Sequence, residues 1–214
     1  MITGSDTRAK FITLEGGEGA GKSTSRDFIV SLFEAQNIPF IQTREPGGTP
    51  IGETLRNVLL SKEGTAPSVT AELLMVFAAR AQHLHEVIEP ALRDGKWVLC
   101  DRFTDATYAY QGYGRGFELG QIEALEALVQ RGRHPDLTLL FDIDPRLGMT
   151  RARQRAELDR FEEEHVEFFD RVREGYLTRA KSEARFRVID ASQSIDLVQQ
   201  ALRELLLPML SEAS

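Results

Sequence analysis

Gly16-Gly17-Glu18-Gly19-Ala20-Gly21-Lys22-Ser23, followed by Thr24, is the stretch that decides the fold. It satisfies the pattern GxxxxGK[ST], follows the apolar run Phe11–Glu15, and opens a helical pattern at Lys22, the context that gives the motif meaning. Consecutive backbone N–H groups of such a loop, with the helix N-terminus behind them, form a positive nest for phosphate oxygens that bulky side chains would obstruct. Lys22 then supplies a cation for the β- and γ-phosphates of a nucleoside triphosphate, and Ser23 a hydroxyl for Mg²⁺.

Outward from this loop, short apolar runs alternate with longer helical patterns. The predicted strands are Phe11–Glu15, Pro39–Thr43, Trp97–Asp101, Thr138–Ile143 and Phe186–Asp190, each with little polar alternation, as expected for strands buried on both faces. Helical patterns cover about Lys22–Gln36, Ile51–Leu60, Ala71–Asp94, Gly120–Gly132, Arg146–Arg155, Glu162–Glu183 and Ser194–Leu207. The alternation predicts an α/β fold with a mostly parallel sheet and helices on both faces, whose ligands gather outside the carboxyl ends of the strands. Three candidate sites fall there: the glycine-rich loop, Thr43-Arg44-Glu45-Pro46-Gly47-Gly48-Thr49, and Asp101-Arg102-Phe103. Asp101 ends an apolar strand, as the acid that partners a P-loop does. It is the expected acidic partner of a metal beside Ser23.

Composition narrows the function classes. A chain of 214 residues with 42% hydrophobic and 28% charged side chains suits one α/β domain, so 1–214 is expected to fold as a single unit. The net charge of −7 disfavours a broad basic face for nucleic acid. Five lysines stand against 21 arginines, and arginine's planar fork suits bidentate contacts with small phosphates. No apolar run approaches the ~20 residues that a membrane helix needs, Met1–Lys10 lacks a signal-peptide core, and Cys100 is the single cysteine. The cytoplasm is the expected location. A signalling GTPase would need an Asn-Lys-x-Asp segment, which is not found, and a motor would typically be longer.

Six motifs in order complete the picture: LEGGEGAGKST, TREPGGT, FAARAQH, CDRFTDATYAYQGYGRG, HPDLTLLFDI and RARQRAELDRFE. Across roughly residues 11–190 the chain resembles the bacterial thymidylate (dTMP) kinase family. That resemblance implies transfer of the ATP γ-phosphate to dTMP, giving dTDP and ADP for dTTP synthesis, with Mg²⁺. It also implies a P-loop kinase fold with a five-stranded parallel sheet, a short helical lid near 146–161, and a homodimer. Human-like relatives carry an arginine inside the P-loop; here the loop reads Glu18-Gly19-Ala20, which resembles the bacterial pattern with lid arginines.

Residue by residue, the resemblance assigns ATP to Gly16, Gly17, Glu18, Gly19, Ala20, Gly21, Lys22, Ser23 and Thr24, and Mg²⁺ to Ser23 and Asp101. Arg102 and Arg44 face the dTMP phosphate, with Pro46 in the same loop and Glu15 near the sugar or the metal. Phe77 and Arg80, three apart on a predicted helix, share a face for thymine, the ring stacking and the guanidinium donating to a carbonyl oxygen. The commonest family spacing has the aromatic four before the arginine, which is Val76 here, so the stacking side chain stays open between the two. Thr107 and Gln111 match positions near the base, and Tyr110 one near the deoxyribose C2′. In the lid, Arg151, Arg153, Arg155 and Arg160 are the candidate catalytic arginines with Lys22 and Arg102. A solvated helix face in which Glu157 and Asp159 pair with those arginines is the alternative. Asp144-Pro145 reads as an N-cap with proline at the first helical position, fixing where the lid helix starts. His83 and His85 are two apart on a helix and point apart, which speaks against a metal site. Another nucleotide kinase and a non-enzymatic ATP-dependent switch are the competing functions.

Overall fold

A computed structural model describes residues 9–154 and 160–213. Five strands, β1 (Phe11–Gly16), β2 (Phe40–Arg44), β3 (Trp97–Asp101), β4 (Leu137–Asp142) and β5 (Phe186–Asp190), form one sheet in the order β2-β3-β1-β4-β5. Every pairing is parallel, and each strand agrees with its predicted span to within one residue at either end. Parallel neighbours need crossovers, and helices supply them. They are α1 (Lys22–Ala35), α2 (Pro50–Leu60), α3 (Val69–His83), α4 (Glu89–Arg93), α5 (Thr104–Thr107), α6 (Leu119–Gln130), α7 (Pro145–Arg153), α8 (Val166–Ser182) and α9 (Ile195–Ala213).

Side chains alternate across the sheet and sort the core into two layers. Ile12, Leu14, Leu99, Leu139 and Phe141 pack against Ile29 and Phe33 of α1 and Leu202, Leu206 and Leu210 of α9. On the other face Phe11, Val98 and Cys100 meet Leu84, Ile88, Ala91 and Phe103, while Leu140 packs with Phe168, Phe169, Val172 and Tyr176 near α8. Cys100 and Trp97 are therefore packing residues, as expected. The edge strands are not buried on both faces, contrary to expectation: β2 is only partly covered, and Val188 in β5 is exposed. An edge strand has a sheet neighbour on one side only, and helices flank it incompletely.

Three helical expectations change. The predicted Ala71–Asp94 helix is α3 and α4 joined through a π turn at Leu84–Ile88. Residues 104–114, not predicted as helix, form α5 followed by a π-helical segment Tyr108–Gly114. β-Branched residues, aromatics and glycines give that stretch weak local helix preference, and packing on α8 overrides it. A methyl group added at Gly175 of α8 would come within 2.8 Å of the Tyr113 ring. Finally, α9 runs through Pro208 instead of ending before it, with Leu206 and Leu210 fully buried on either side. That burial offsets the ~3 kcal/mol or more that proline costs inside a helix.

Candidate active site

A cleft opens at the carboxyl end of the sheet, with the glycine-rich loop at one end and α3 at the other. The loop joins β1 to α1, and α1 starts without a side-chain cap: Gly21, at φ 78°, occupies that position in the left-handed region glycine tolerates. Its first N–H groups are left to a ligand. Lys22 Nζ donates to the carbonyls of Gly16 (3.0 Å) and Gly17 (2.9 Å). Burial and the neighbouring Arg102 lower the lysine pKa. Gly19 lies so close to Gly148 of α7 that a Cβ there would sit 1.9 Å from the Gly148 carbonyl oxygen. Helix α7, where the lid is expected to start, is thus seated on the loop. Its start is where the sequence indicates, with Asp144 Oδ1 accepting from the Arg146 N–H at 2.8 Å and Pro145 in the first turn.

The floor comes from the end of β3. Asp101 Oδ1 is buried and has no hydrogen-bond partner among the described residues. Arg102 adopts φ 66°, a conformation that costs a non-glycine residue energy and turns its side chain into the cleft. Its guanidinium binds the Glu18 carboxylate and lies 4.7 Å from the Tyr110 ring centre. Tyr110 donates to the same Glu18 oxygen at 2.8 Å. Burial pushes the Glu18 pKa up, but Arg102, Lys22 and the tyrosine hydroxyl outweigh it and hold the carboxyl at about 2. Phosphate-seeking groups are therefore concentrated where loop and strand end meet.

At the far end Arg80, 1% exposed, donates from Nε to Glu45 Oε2 (2.7 Å) and from Nη2 to Thr107 Oγ1 (2.9 Å). Its Nη1 is buried beside the cleft without a hydrogen-bond partner among the described residues. Glu45 also meets His83 Nδ1 at 2.9 Å, and His83 Nε2 lies 2.6 Å from Thr43 Oγ1. That histidine is a satisfied core residue. Gln111, 3% exposed, lines the cleft and donates from Nε2 to Glu72 Oε1 at 2.9 Å. Pro46, Thr107 and Tyr110 line the same space.

Other expected site residues lie elsewhere. Phe77 does not line the cleft: it packs with Leu73, Tyr108 and Ile122, its ring 4.9 Å from the Arg80 guanidinium, and Val76 takes the lining position. One residue of helix register turns a side chain by about 100°, which separates the two. Glu15 is wholly buried behind the cleft, accepting from the Phe103 N–H (2.7 Å) and the Tyr176 hydroxyl (2.8 Å). Burial first, then the neighbouring Asp105 charge, raise its pKa to about 7. Arg44 points outward to Glu53 at 2.7 Å. Gly16 and Gly17 line a smaller pocket behind the loop, and Thr24 is exposed on the first turn of α1.

The lid arginines divide. Arg151 donates to the Ala191 carbonyl at 2.8 Å, and Arg160 to the Leu59 carbonyl (2.8 Å) and Glu72 Oε2 (2.6 Å). Arg153 is exposed on the last turn of α7, and Arg155 lies outside the described residues. The cleft also contains Glu45, Arg56, Leu59, Phe161 and Glu162, none of them singled out in the sequence. Glu45 sits inside the TREPGGT motif beside Arg44, and Phe161 adjoins the lid motif; Arg56, mid-helix with no flanking motif, carries no comparable signal.

Backbone donors left without a side-chain cap at one end of the cleft and, at the other, a buried guanidinium nitrogen without a partner among the described residues fit the class of P-loop phosphotransferases. Comparison with known proteins narrows the class. A family model described as thymidylate kinase matches residues 14–202. The thymidylate kinase of Pseudomonas syringae pv. tomato is 57% identical over 197 residues, covering 92% of this chain and 94% of that one. Those of Teredinibacter turnerae (57%; 92% and 97%) and Methylococcus capsulatus (56%; 92% and 94%) are similar over comparable lengths. The chain belongs to the thymidylate kinase family.

Proposed function

We propose that the protein transfers the γ-phosphate of ATP to dTMP, giving dTDP and ADP for dTTP synthesis, as a single domain that holds both substrates in one cleft. The observation that carries this is Arg80, a residue lining the same cleft as the P-loop whose buried Nη1 has no partner among the described residues. Phosphoryl transfer asks a protein to position two anions and neutralise developing charge; it needs no covalent chemistry from the protein. The loop from Gly16 to Thr24 and the Lys22 ammonium hold the ATP phosphates. Arg102 releases Glu18 to meet phosphate oxygens between the two substrates, and Arg44, supported by Glu53, acts from the rim. Of the lid arginines, Arg151 and Arg160 tie the two ends of the lid to the body, which leaves Arg153, with Arg155, to reach the transferring group.

Ser23 and Asp101 offer the oxygen donors that suit Mg²⁺, and the buried Asp101 Oδ1, without a partner among the described residues, fits that role. Bound there, Mg²⁺ neutralises charge on the β- and γ-phosphates. Arg80 Nη1 donates to a thymine carbonyl, Thr107 and Gln111 attend the base edge, Val76 and Phe103 contact the ring, and Tyr110 crowds the sugar C2′ against a hydroxyl.

The protein works as a homodimer in the cytoplasm. Supporting this, Ile51 and Val58 on α2 and Val69 and Leu74 on α3 are exposed apolar side chains on adjacent helices. No helix among the described residues is long and apolar enough to cross a membrane. Calorimetric titration tests the base site: Arg80→Met should weaken dTMP binding by about tenfold or more while leaving ATP binding unchanged. Unaltered dTMP affinity contradicts the assignment.

A further inference from the structure

Glu72 is 1% exposed, outside the cleft lining, and unused by the phosphoryl-transfer chemistry. Both of its oxygens are held from the protein side: Oε2 accepts from Arg160 Nη2 at 2.6 Å, and Oε1 from Arg115 Nε at 3.4 Å. The remaining contact of Oε1 is Gln111 Nε2 at 2.9 Å. A carboxylate flanked by two guanidinium groups can only accept, so it is the amide nitrogen of Gln111, not its oxygen, that faces Glu72. The glutamine therefore cannot rotate its amide end for end without setting oxygen against oxygen. Its Oε1 is the group left for the cleft.

We infer that Glu72 is a specificity-determining residue, a positioning group that fixes the polarity of Gln111 so that the cleft presents one acceptor, Gln111 Oε1, beside one donor, Arg80 Nη1. This rests on the reading of the cleft as a pyrimidine monophosphate site. The pattern complements a base that offers an N3–H donor next to a carbonyl oxygen. It mismatches a base with a bare N3 beside an amino group, where acceptor would face acceptor and donor would face donor. Buried polar groups reject such a mismatch strongly because no water is at hand to satisfy them. Discrimination between thymine and cytosine thus depends on a side chain that touches neither.

The test is a comparison of kcat/KM for dTMP and dCMP in wild type, Glu72→Gln, Gln111→Ala and the double variant, with thermal melting to verify folding. Glutamine at position 72 has the size of the original but can present oxygen or nitrogen, so the dTMP:dCMP ratio should fall by about tenfold or more. In the Gln111→Ala background Glu72→Gln should change the ratio no further, because the effect passes through the glutamine. Glu72→Asp keeps a group that only accepts, so its ratio should stay near wild type even where kcat/KM drops for both substrates. An unchanged ratio in folded Glu72→Gln, an equal loss in the Gln111→Ala background, or a collapsed ratio in folded Glu72→Asp overturns the inference. Should Glu72→Gln not fold, the aspartate arm decides alone. A wild type without preference for dTMP overturns the underlying reading of the cleft instead, so the two failures are distinguishable.

Discussion

Arg80 and Asp101 each leave a buried polar atom without a partner among the described residues, a state that costs about 1–3 kcal/mol for each group. Proteins keep such groups where a ligand completes them, and both line one cleft, at the ends that the proposed function gives to the base and to the metal. Lys22, by contrast, is partnered, its ammonium donating to the carbonyls of Gly16 and Gly17. Lys22→Ala should lower kcat by roughly 10²–10³ while the melting temperature changes little, since one preorganised cation at the transferring group is lost. Near-normal turnover would remove lysine from the mechanism. Glu15 makes a different prediction. With its folded pKa raised from 4.5 to about 7, the native state binds a proton that the unfolded chain releases, so its contribution to stability is full below 4.5 and is lost as pH climbs to 7. Glu15→Gln cannot ionise, so its melting temperature should fall less between pH 5 and 7.5 than that of wild type; parallel curves would contradict this. Motif residues such as Lys22 and Asp101 could be placed at the cleft from sequence because strand and loop context fixes where they lie. The inward turn of Glu15 and the outward turn of Arg44 could not, because a strand-end residue faces cleft or core according to partners outside its own strand, here Tyr176 on α8 and Glu53 on α2.

The strands and the loop-to-helix junction at α1 are legible in the chain because apolar runs and glycine spacing are local signals. The Thr104–Gly114 helix is not, because α8 imposes it from a distance. Helix register likewise decides between Val76 and Phe77, and only the packing of Phe77 with Tyr108 and Ile122 reveals it. For the expected lid, the structure separates Arg151 and Arg160, which are tied to the body, from Arg153, which is exposed. Arg153→Ala should cut kcat by roughly 10² and barely change dTMP affinity, because its contact forms only as the phosphoryl group transfers. Arg153→Lys should recover only part of the loss, since an ammonium keeps the charge but cannot span two oxygens. Full kcat in single alanine variants at Arg151, Arg153, Arg155 and Arg160 would exclude a catalytic lid.

At the scale of the whole molecule, a parallel sheet gathers its strand ends on one side, and loops from β1, β2 and β3 with α3 enclose one cleft. The exposed apolar positions on α2 and α3 lie on the shell around that cleft, and pairing two copies there would cover them. Light scattering at micromolar concentration should therefore report close to twice 24.0 kDa, and a clean monomer would contradict the dimer. The identity of the acceptor is the central claim. It is tested most directly by ADP release from ATP and Mg²⁺ with dTMP, dCMP, GMP and AMP as alternative acceptors. Turnover with dTMP well above the other three is the predicted result, and equal or faster turnover with any of them would contradict the account.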